Sequence, residues 1–359
     1  MSEIAKYFVP GPTWVRPEIL AEMTRPMIGH RSAEFKALFG GINADLKTLF
    51  GTKQTTFVVT SSGTGVMQAA LENCVKQRVL VTTCGAFSER WYNIAESLGL
   101  EVDRLDAGWG NAVDPDALAD HLARHHRAHY DAVTITHNET STGVTNDVAA
   151  LAAVVREEAP DALVLVDAVS SLGGIPVEFD AWNLDVCLAS VQKCIALPPG
   201  ITVAAASNAA LARAQKHPYR GTYFDFLAYR DKANEDSVPS TPSIPHFYAL
   251  ARQLDFMIRG EGLDARYERH RQMRELVHRR TTEFAKLASD PAFASAAVTT
   301  LEPSLPPEGI RAEMKKRGYT LGGGYGIWKD TTFRIGHMGD IGLDAVEQML
   351  DVLGEVAKA

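Results

Sequence analysis

The sequence predicts an α/β protein: a large domain with a mainly parallel central sheet flanked by helices, followed by a small C-terminal α/β domain. Two short β-branched runs, at 162–167 and 186–190, are each followed by small and polar residues, as is typical of buried parallel strands that end at a cleft. Between 56 and 207 such runs alternate with helical stretches, which favours a parallel sheet with helices on both faces. The chain of 359 residues is long enough for one large and one small domain.

The first part of the chain contains the predicted elements of the large domain. Gly11, Pro12 and Pro17 interrupt an extended N-terminal arm, and a glycine-rich turn, SSGTG at 61–65, separates the first strand from the helix that follows. Strands are predicted at 56–60, 78–83, 101–105, 132–137, 162–167, 186–190 and 201–207. Helices are predicted at 16–25, 32–49 and 66–75, around 95–98, at 115–124 and 148–158, and up to 215.

The composition changes at 216–245, where the chain is aromatic, polar and interrupted by proline. An irregular stretch of this length is uncommon inside a compact domain, so we expect it to serve in binding or in dimer contacts. Beyond it we expect a helical stretch from 246 to about 286, broken near Gly260, strands at 296–301, 325–328 and 333–337, and helices at 307–317 and 344–357. The predicted division is an arm at 1–20, a large domain at 21–255 and a small domain at 256–359.

Composition and charge argue against several classes of protein. The net charge of −8 provides no broad basic surface for nucleic acid or for an anionic membrane, and no apolar run approaches the ~20 residues that span a bilayer. The four cysteines have no CxxC spacing, which fits a reducing compartment, and no cluster has metal-ligand spacing. The first residues lack a basic stretch followed by an apolar one. We therefore expect a cytoplasmic globular protein without a metal ion.

Asp167 and Lys193 lie at the ends of two predicted strands. In an open α/β sheet, ligands bind in the crevice beyond the carboxyl ends of the strands. An amine and a carboxylate at that place indicate pyridoxal phosphate, because the lysine can form its Schiff base and the carboxylate can keep its ring nitrogen protonated. Either residue alone could equally be structural: Asp167 an aspartate at the end of a strand, and Lys193 a lysine exposed to solvent. The SSGTG turn likewise suits a phosphate or simply caps a helix.

Seven motifs lie along the chain: PGPT (10–13), GHRSAEF (29–35), TSSGTGVMQAALEN (60–73), HNETSTGV (137–144), VDAVSSLGG (166–174), SVQKCIALPPG (190–200) and FRIGHMGD (333–340). Their residues and order resemble the class V aminotransferases of the fold-type I pyridoxal-phosphate enzymes, especially the alanine–glyoxylate and serine–glyoxylate group. The likeness runs nearly from end to end, and seven ordered matches are far more specific than any one of them. The resemblance implies the fold-type I architecture, pyridoxal 5'-phosphate as cofactor and a transaminase activity.

The resemblance also implies a role for each matching residue. Lys193 and Asp167 are the catalytic residues, as the Schiff-base lysine and the partner of the pyridine nitrogen. The cofactor phosphate is bound by Ser62, Gly63, Thr64 and Gln192, Thr140 lies near the phenolic oxygen, and Phe87 stacks on the ring where the alanine–glyoxylate enzymes usually have tryptophan. Arg334 binds the substrate carboxylate, which a planar pair of donors suits well. From the residues alone, Arg334 could also be a surface arginine on an edge strand.

In the same family a tyrosine and a threonine of the neighbouring subunit complete the phosphate site. Thr241 matches the threonine, but Val238 stands at the tyrosine position and has no donor to offer. Tyr219 or Tyr223 from the same irregular stretch could take that place. The resemblance therefore implies a homodimer with composite active sites, and it gives the segment 216–245 a role.

The implied reaction transfers an amino group from a small L-amino acid, of the alanine or serine type, to a 2-oxo acid such as glyoxylate or pyruvate. His30 and Arg31 are further candidates for substrate binding, or they cap the following helix and pair with Glu34. An adjacent His–Arg pair also occurs in phosphoserine aminotransferases, so an enzyme of serine biosynthesis acting on 3-phosphohydroxypyruvate and glutamate is the alternative function. We interpret His137 and His337 as packed rather than catalytic histidines.

Three other classes fit these residues less well. A cysteine desulfurase needs a mobile cysteine in its C-terminal half and a histidine stacked on the cofactor, but no cysteine follows Cys194 and Phe87 stands at the stacking position. A nucleotide-binding module would carry GxGxxG or GxxxxGK[ST] in place of SSGTG. A silent scaffold of the same fold would more often have lost Lys193 or Asp167. The sequence thus predicts an enzyme.

Overall fold

The structure, a computed structural model, describes residues 6–125 and 129–358. Its strands are β1 (Tyr7–Phe8), β2 (Thr55–Val59), β3 (Arg78–Thr83), β4 (Glu101–Asp106), β5 (Ala132–Thr136), β6 (Asn138–Glu139), β7 (Val144–Thr145), β8 (Leu163–Asp167), β9 (Val186–Ser190), β10 (Thr202–Ala206), β11 (Ala285–Leu287), β12 (Val298–Pro303), β13 (Thr320–Gly323) and β14 (Phe333–Gly336). Its α-helices are α1 (Pro17–Glu22), α2 (Ala33–Phe50), α3 (Gly63–Cys74), α4 (Ser88–Ser97), α5 (Pro115–Arg124), α6 (Val148–Glu158), α7 (Asn208–Gln215), α8 (Phe226–Ala233), α9 (Ile244–Asp255), α10 (Leu263–Thr281), α11 (Pro307–Lys316) and α12 (Leu343–Val356). In these two ranges, no helix combines the length and the apolar character that crossing a membrane requires.

The larger sheet has the strand order β2-β10-β9-β8-β5-β3-β4. Every pair from β9 to β4 is parallel, whereas β10 runs antiparallel to both of its neighbours. The predicted mainly parallel sheet is therefore confirmed, with one reversed strand. Asp167 at the end of β8 pairs with Thr136 of β5 and with Leu188 of β9. Because these strands are parallel neighbours, the residues that follow them meet at one edge of the sheet.

Side chains of the large sheet alternate between two apolar layers. In β2, Val58 joins the core on one face while Phe57 and Val59 join the core on the other, as the two-residue period of a strand requires. Helices α2, α5, α6 and α9 cover the first face, and α3, α4, α7 and α8 cover the second. Trp91 of α4 is fully buried in the second layer. Each large apolar side chain buried in this way stabilises the fold by roughly 1.5–3 kcal/mol.

Helix boundaries around the large sheet coincide with residues suited to begin or end a helix. Before α2, the Ser32 hydroxyl accepts a hydrogen bond from the Phe35 amide at 3.2 Å, which satisfies one of the free donors of the first turn. The same helix ends at Gly51, whose φ of 62° is a left-handed conformation that glycine adopts without strain. Before α6, Asp147 accepts from the Ala150 amide at 3.0 Å. Such signals are local, so these boundaries lie close to those predicted.

A smaller sheet, with the order β1-β13-β14-β12-β11, joins both ends of the chain. β1 pairs in parallel with β13, and Tyr7 lies opposite Thr320. Helices α10 and α12 cover this sheet through an apolar cluster that includes Met273 and Met349. The chain after β1 then passes between the two sheets, because Pro10 lies against Gly322 on one side and accepts a hydrogen bond from Lys193 on the other.

Three predicted segments need correction. The helical stretch expected to reach about residue 286 ends with α10 at Thr281, and Ala285–Leu287 form β11. The strand predicted at 325–328 is wrong: residues Gly326–Trp328 form a 3-10 turn, and the strand lies earlier, in β13. Gly326 has a φ of 53°, which lies outside the extended region, so a strand cannot continue through it. The irregular stretch 216–245 contains α8, which starts where Asp225 accepts a hydrogen bond from the Leu227 amide at 2.9 Å. The predicted break near residue 260 is confirmed as a π-helix, Phe256–Glu261, before α10.

Candidate active site

A cavity of about 160 Å³ opens at the carboxyl edge of the large sheet. Of the residues that the sequence singled out, it is lined by Ser62, Gly63, Thr64, Phe87, Thr140, Asp167, Gln192 and Lys193. The rest of the lining is Met67, Arg90, Asn138, Val169, Ser170 and Ser190. These residues come from distant parts of the sequence and meet because the loops after β2, β3, β5, β8 and β9 all lie at this edge.

Lys193 lies on the turn that follows β9, and its side chain is directed by the N-terminal arm. Its Nζ donates a hydrogen bond to the carbonyl oxygen of Pro10, and the Ala196 amide donates to the Lys193 carbonyl at 2.9 Å to close the turn. Burial, and after it the positive charge of Arg334, lowers the pKa of the Lys193 amine to about 8. About a tenth of the amine is therefore neutral at pH 7, and the neutral form is the nucleophile.

Asp167 ends β8 on the floor of the same cavity. One of its carboxylate oxygens accepts a hydrogen bond from the Val169 amide at 2.7 Å. Burial raises the pKa of Asp167 to about 6, although this hydrogen bond and the charges of Arg90 and Lys193 oppose the rise. A buried carboxylate of this kind gains most from a cationic partner, and a protonated ring nitrogen is such a partner.

One end of the cavity has the donors that a phosphate group requires. Ser62 is the N-cap of α3, yet its hydroxyl makes no capping hydrogen bond, and the amides of the first helical turn have no acceptor within the helix. A Cβ at Gly63 would come within 2.8 Å of both Ser190 and Val169, so glycine lets the helix approach the strand ends. Arg90 adds a guanidinium, whose Nη1 donates to the Thr64 hydroxyl at 2.9 Å. Helix amides, hydroxyls and a guanidinium together suit a phosphate.

Phe87 forms the aromatic wall of the cavity, and a buried carboxylate fixes its backbone. Glu139 accepts hydrogen bonds from the amides of Phe87 at 3.0 Å and Ser88 at 2.8 Å, at the N-terminus of α4. A carboxylate at this end of a helix is favoured by the helix dipole. The guanidinium carbon of Arg90 lies 4.9 Å from the centre of the Phe87 ring. The ring is therefore held where a flat cofactor could stack on it.

Arg334 of β14 is a buried cation beside the cavity. It is 9% exposed, and its hydrogen-bond partners among the described residues are the carbonyl oxygens of Gly323, at 2.7 Å from Nε, and Thr140, at 3.0 Å from Nη1. Burial lowers the pKa of Arg334 to about 10. In the described ranges its Nη2 group has no hydrogen-bond partner, so one edge of the guanidinium is left for an anion. Binding a carboxylate there would offset the cost of burying the charge.

The structure does not bring every predicted site residue to this cavity. His30, Arg31 and Thr241 do not line it: Arg31 and Thr241 are exposed and His30 is partly exposed. His137 and His337 are buried outside the lining, as packed histidines are; burial lowers the pKa of His137 to about 4 and that of His337 to about 3.

The segment that carries Thr241 lies partly in the core and partly in the open. Val238 is 7% exposed and packs into the core of its own chain, where a polar hydroxyl would be poorly placed. Tyr223 donates to the Thr60 carbonyl at 3.0 Å, next to the phosphate end of the cavity. Tyr219 is 87% exposed.

The sequence did not single out six of the lining residues, of which Arg90 and Asn138 are polar groups with clear contacts, and it also missed one backbone atom. Arg90 lies three residues after Phe87, so a helix through both would place them on one face, and this spacing was a usable signal. Asn138 opens the loop after β5 and donates to the Ser170 hydroxyl at 2.8 Å. The Pro10 carbonyl had no sequence signal, because its approach to Lys193 depends on how the arm crosses the small sheet.

Neither a larger groove nor a metal site competes with this cavity. A more open groove of about 820 Å³ lies at the opposite end of the strands, beside Leu163. Two of its charged groups, Arg156 and Asp185, form an ion pair with each other at 2.6 Å. Within 6–125 and 129–358, no group of three or more histidine, cysteine, aspartate or glutamate residues could hold a metal ion. The reactive groups are therefore concentrated in the smaller cavity.

Comparison with known proteins agrees with this geometry. The family description "Aminotransferase class-V" matches residues 18–302. A protein named soluble hydrogenase, small subunit, from Synechococcus is 35% identical, over 99% of this chain and 94% of that protein. The serine–glyoxylate aminotransferase of Methylorubrum extorquens is 33% identical, over 98% of this chain and 89% of that protein. The crystal structure of an alanine–glyoxylate aminotransferase from Nostoc has a TM-score of 0.92 at 26% identity, covering 99% of this chain and 96% of that one. The chain belongs to the class V aminotransferase family, as its motifs predicted, and it is an aminotransferase of the fold-type I architecture.

Proposed function

We propose that this aminotransferase uses pyridoxal 5'-phosphate to move an amino group from a small L-amino acid, of the alanine or serine type, to a 2-oxo acid such as glyoxylate or pyruvate. The observation that carries the proposal is the convergence of Lys193, Asp167 and the SSGTG turn on one cavity, with a guanidinium edge of Arg334 that has no partner among the described residues beside it. The substrate class is supported by relatives named serine–glyoxylate and alanine–glyoxylate aminotransferases.

The residues of the cavity fit each group of the cofactor. The turn at 62–64, with Gln192, offers donors to the phosphate, Phe87 offers a flat apolar surface to the ring, and Asp167 offers a carboxylate to the ring nitrogen. When bound, the cofactor supplies a carbonyl that condenses with amines and a ring that takes up the electron pair released at the substrate α-carbon. Asp167 keeps that ring protonated, because its buried negative charge favours a cationic neighbour.

Lys193 moves the proton in the transfer. Its amine, with a pKa of about 8, is poised near neutral pH, which suits a group that must both take and give a proton. With the cofactor bound, Nζ would take the proton from the substrate α-carbon and deliver it to the former aldehyde carbon of the cofactor. The Pro10 carbonyl accepts a hydrogen bond from Nζ and so keeps the amine directed into the site.

Arg334 binds the carboxylate that donor and acceptor share. An α-amino acid and a 2-oxo acid both carry a carboxylate next to the reacting carbon, so one arginine serves both halves of the reaction. Its planar guanidinium binds carboxylates with two parallel hydrogen bonds, which fixes the orientation of the substrate. This contact places the α-carbon near Lys193 and is the reason that we assign amino acids rather than simple amines as substrates.

The active unit in this proposal is a homodimer. Thr241 and Tyr219 lie on the segment 216–245 and are exposed, and neither lines the cavity of its own chain. Exposed hydroxyl groups on such a segment can reach the phosphate site of a second copy. Analytical ultracentrifugation of the holoenzyme tests the assignment, and a monomer with full activity would contradict it.

The absorbance spectrum of the purified protein, followed by titration with amino donors, tests the proposed function. We expect a visible band from bound pyridoxal phosphate that Lys193→Ala alters, and bleaching of this band by L-alanine or L-serine. A protein that takes up no pyridoxal phosphate on reconstitution would overturn the proposal. Bleaching by L-phosphoserine alone would instead support the phosphoserine aminotransferase reading, in which Arg31 from a neighbouring copy holds the phosphate.

A further inference from the structure

The segment Gly324–Trp328, which is a turn rather than the predicted strand, lies next to the cavity wall, because Tyr325 contacts both Phe87 and Arg334. The ring of Tyr325 packs on Phe87 in a stacked arrangement, with 5.2 Å between ring centres and 27° between planes. The guanidinium carbon of Arg334 lies 5.4 Å from the centre of the same ring. Tyr325 is 39% exposed and does not line the cavity itself. The Tyr325 ring therefore contacts both Phe87 of the cavity wall and the buried Arg334, and part of the ring is exposed to solvent.

Two interlocked tryptophans hold this segment in place. Trp109, from the loop after β4, and Trp328 pack edge to face, with 5.6 Å between ring centres. A Cβ at Gly326 would overlap the Trp109 ring, and a Cβ at Gly110 would come within 2.8 Å of the Trp328 ring. A glycine therefore stands at each contact where a side chain would push the tryptophans apart. We call the packed pair Trp109 and Trp328 the tryptophan pair. Because Gly326 follows Tyr325 directly, the tryptophan pair also fixes the position of Tyr325.

We propose that Tyr325 limits the size of the amino donor's side chain, an inference that rests on the proposed function. A substrate held by its carboxylate at Arg334 has its α-carbon between that arginine and Lys193, and its side chain must leave towards the open mouth. The Tyr325 ring stands there, against Phe87 and over Arg334. Side chains the size of alanine or serine fit beneath the ring, whereas longer or branched ones meet it.

The tryptophan pair explains why the single ring of Tyr325 can limit the size of the substrate side chain and so act as a size filter. A mobile loop would move aside for a larger substrate at little cost, whereas a segment pinned by two tryptophans and by contact with Phe87 cannot do so. A pocket that rejects one extra methylene by steric contact discriminates by roughly 10–200-fold. The filter acts on the side chain of the donor and leaves the carboxylate contact of Arg334 unchanged.

The experiment compares holoenzymes of the wild type, Tyr325→Ala and Tyr325→Phe, with Ile327→Ala as the control. Ile327 is on the same segment and 72% exposed, so its truncation removes a side chain without opening the mouth. The donors are L-alanine, L-serine, L-2-aminobutyrate, L-norvaline and L-leucine, each with glyoxylate as acceptor. Two readouts are taken: kcat/KM, and the donor concentration that half-bleaches the cofactor band without an acceptor.

We expect Tyr325→Ala to raise the ratio of kcat/KM for L-norvaline to that for L-alanine by about 10-fold or more. The half-bleaching concentration for L-norvaline should fall in parallel, while Tyr325→Phe and Ile327→Ala keep both ratios within about 3-fold of the wild type. If Tyr325→Ala does not fold, Tyr325→Leu, which keeps apolar contact with Phe87, replaces it.

Three results would overturn the inference, two of them without affecting the proposed function. If the wild type uses L-alanine and the ratios are unchanged in Tyr325→Ala, or in Tyr325→Leu where that variant replaces it, the size filter is refuted and the proposed function stays intact. The same holds if Tyr325→Phe changes the ratios as much as Tyr325→Ala, because the hydroxyl rather than the ring would then be responsible. A wild-type cofactor band that none of the five donors bleaches would remove the proposed function itself, and the inference with it.

Discussion

Nη2 of Arg266 lies 2.8 Å from Oδ1 of Asp340 in an ion pair that is almost completely buried, with side-chain exposures of 0% and 1%. The same guanidinium donates to the carbonyl of Gly173, beyond the strand of Asp167, and to the carbonyl of Cys194, next to Lys193, both at 2.7 Å. Arg266 is in α10, and Asp340 follows β14. One buried ion pair therefore ties the loops after β8 and β9 to the smaller sheet.

Asp340→Asn should lower the free energy of unfolding by about 3 kcal/mol, because it leaves the Arg266 cation buried with one charged partner fewer. Burial acts to raise the pKa of Asp340 from 3.8, but the charges of Arg266 and Arg16 outweigh it and lower the pKa. The stabilisation is thus complete above about pH 4 and is lost as the pH falls through the lowered pKa. Urea unfolding measures the change, with Asp120→Asn in the exposed pair with Arg124 as control. That control should change stability by less than about 0.5 kcal/mol, and equal losses in the two variants would contradict the prediction.

The rate at which cofactor-free protein captures pyridoxal phosphate covalently should rise with pH, with an apparent pKa of about 8. Only the neutral amine of Lys193 attacks a carbonyl, and burial has lowered its pKa from 10.5. Below pH 8 the protonated fraction grows and capture slows; above it the rate levels off. Trapping with borohydride, followed by mass spectrometry of the peptide with residue 193, measures capture, and Lys193→Ala should give no adduct there. A midpoint near 10.5 would show that the amine is unperturbed.

Asp167→Asn should leave the fold intact and lower the rate of amino transfer by about 100-fold or more. The amide has nearly the same shape but no charge, so it cannot favour the protonated ring nitrogen that makes the cofactor an electron sink. Single-turnover kinetics with L-alanine measure the loss. Asp147→Asn is the matched control, since Asp147 caps α6 at the surface and asparagine caps equally well. Equal rates in the two variants would remove Asp167 from the catalytic residues.

Gly11→Ala should slow the covalent capture of pyridoxal phosphate and lower the melting temperature. Gly11 has a φ of 105°, which a side chain makes unfavourable, and a Cβ there would overlap the side chain of Lys193. Gly41→Ala is the opposite case, because Gly41 lies within α2 and a Cβ would meet nothing within 4 Å. That substitution should raise the free energy of unfolding by ~0.5–1 kcal/mol. If both variants behave alike, the close packing of Gly11 on Lys193 is not what holds the lysine.

The sequence was sufficient for those parts of the site that depend on local order. Lys193 and Asp167 follow strands whose apolar runs are unmistakable, and parallel strands bring such residues to one edge regardless of the loops between them. Their motifs also matched a family, which the comparisons confirmed.

Other features depend on contacts between distant segments and had no local signal. The Pro10 carbonyl meets Lys193 only because β1 joins a sheet whose other strands lie near the opposite end of the chain. Tyr325 was predicted in a strand, since GYGIW alternates like one, and only the left-handed Gly326 and its contact with Trp109 make it a turn. For Thr241 and Arg31 the reason is different: both are exposed on their own chain, so a role in the site needs a second copy of the protein.

The pairing of β1 with β13 sets an order of assembly when the chain emerges from the ribosome. The strands of the large sheet are all synthesised before α9, so that sheet can form while later residues are still being added. Residues 7–8, by contrast, must wait for residues 320–323, and until then the arm has no sheet to hold its carbonyl against Lys193. A nascent chain can therefore fold most of its core early, yet it acquires a correctly directed lysine only after β13 has been synthesised.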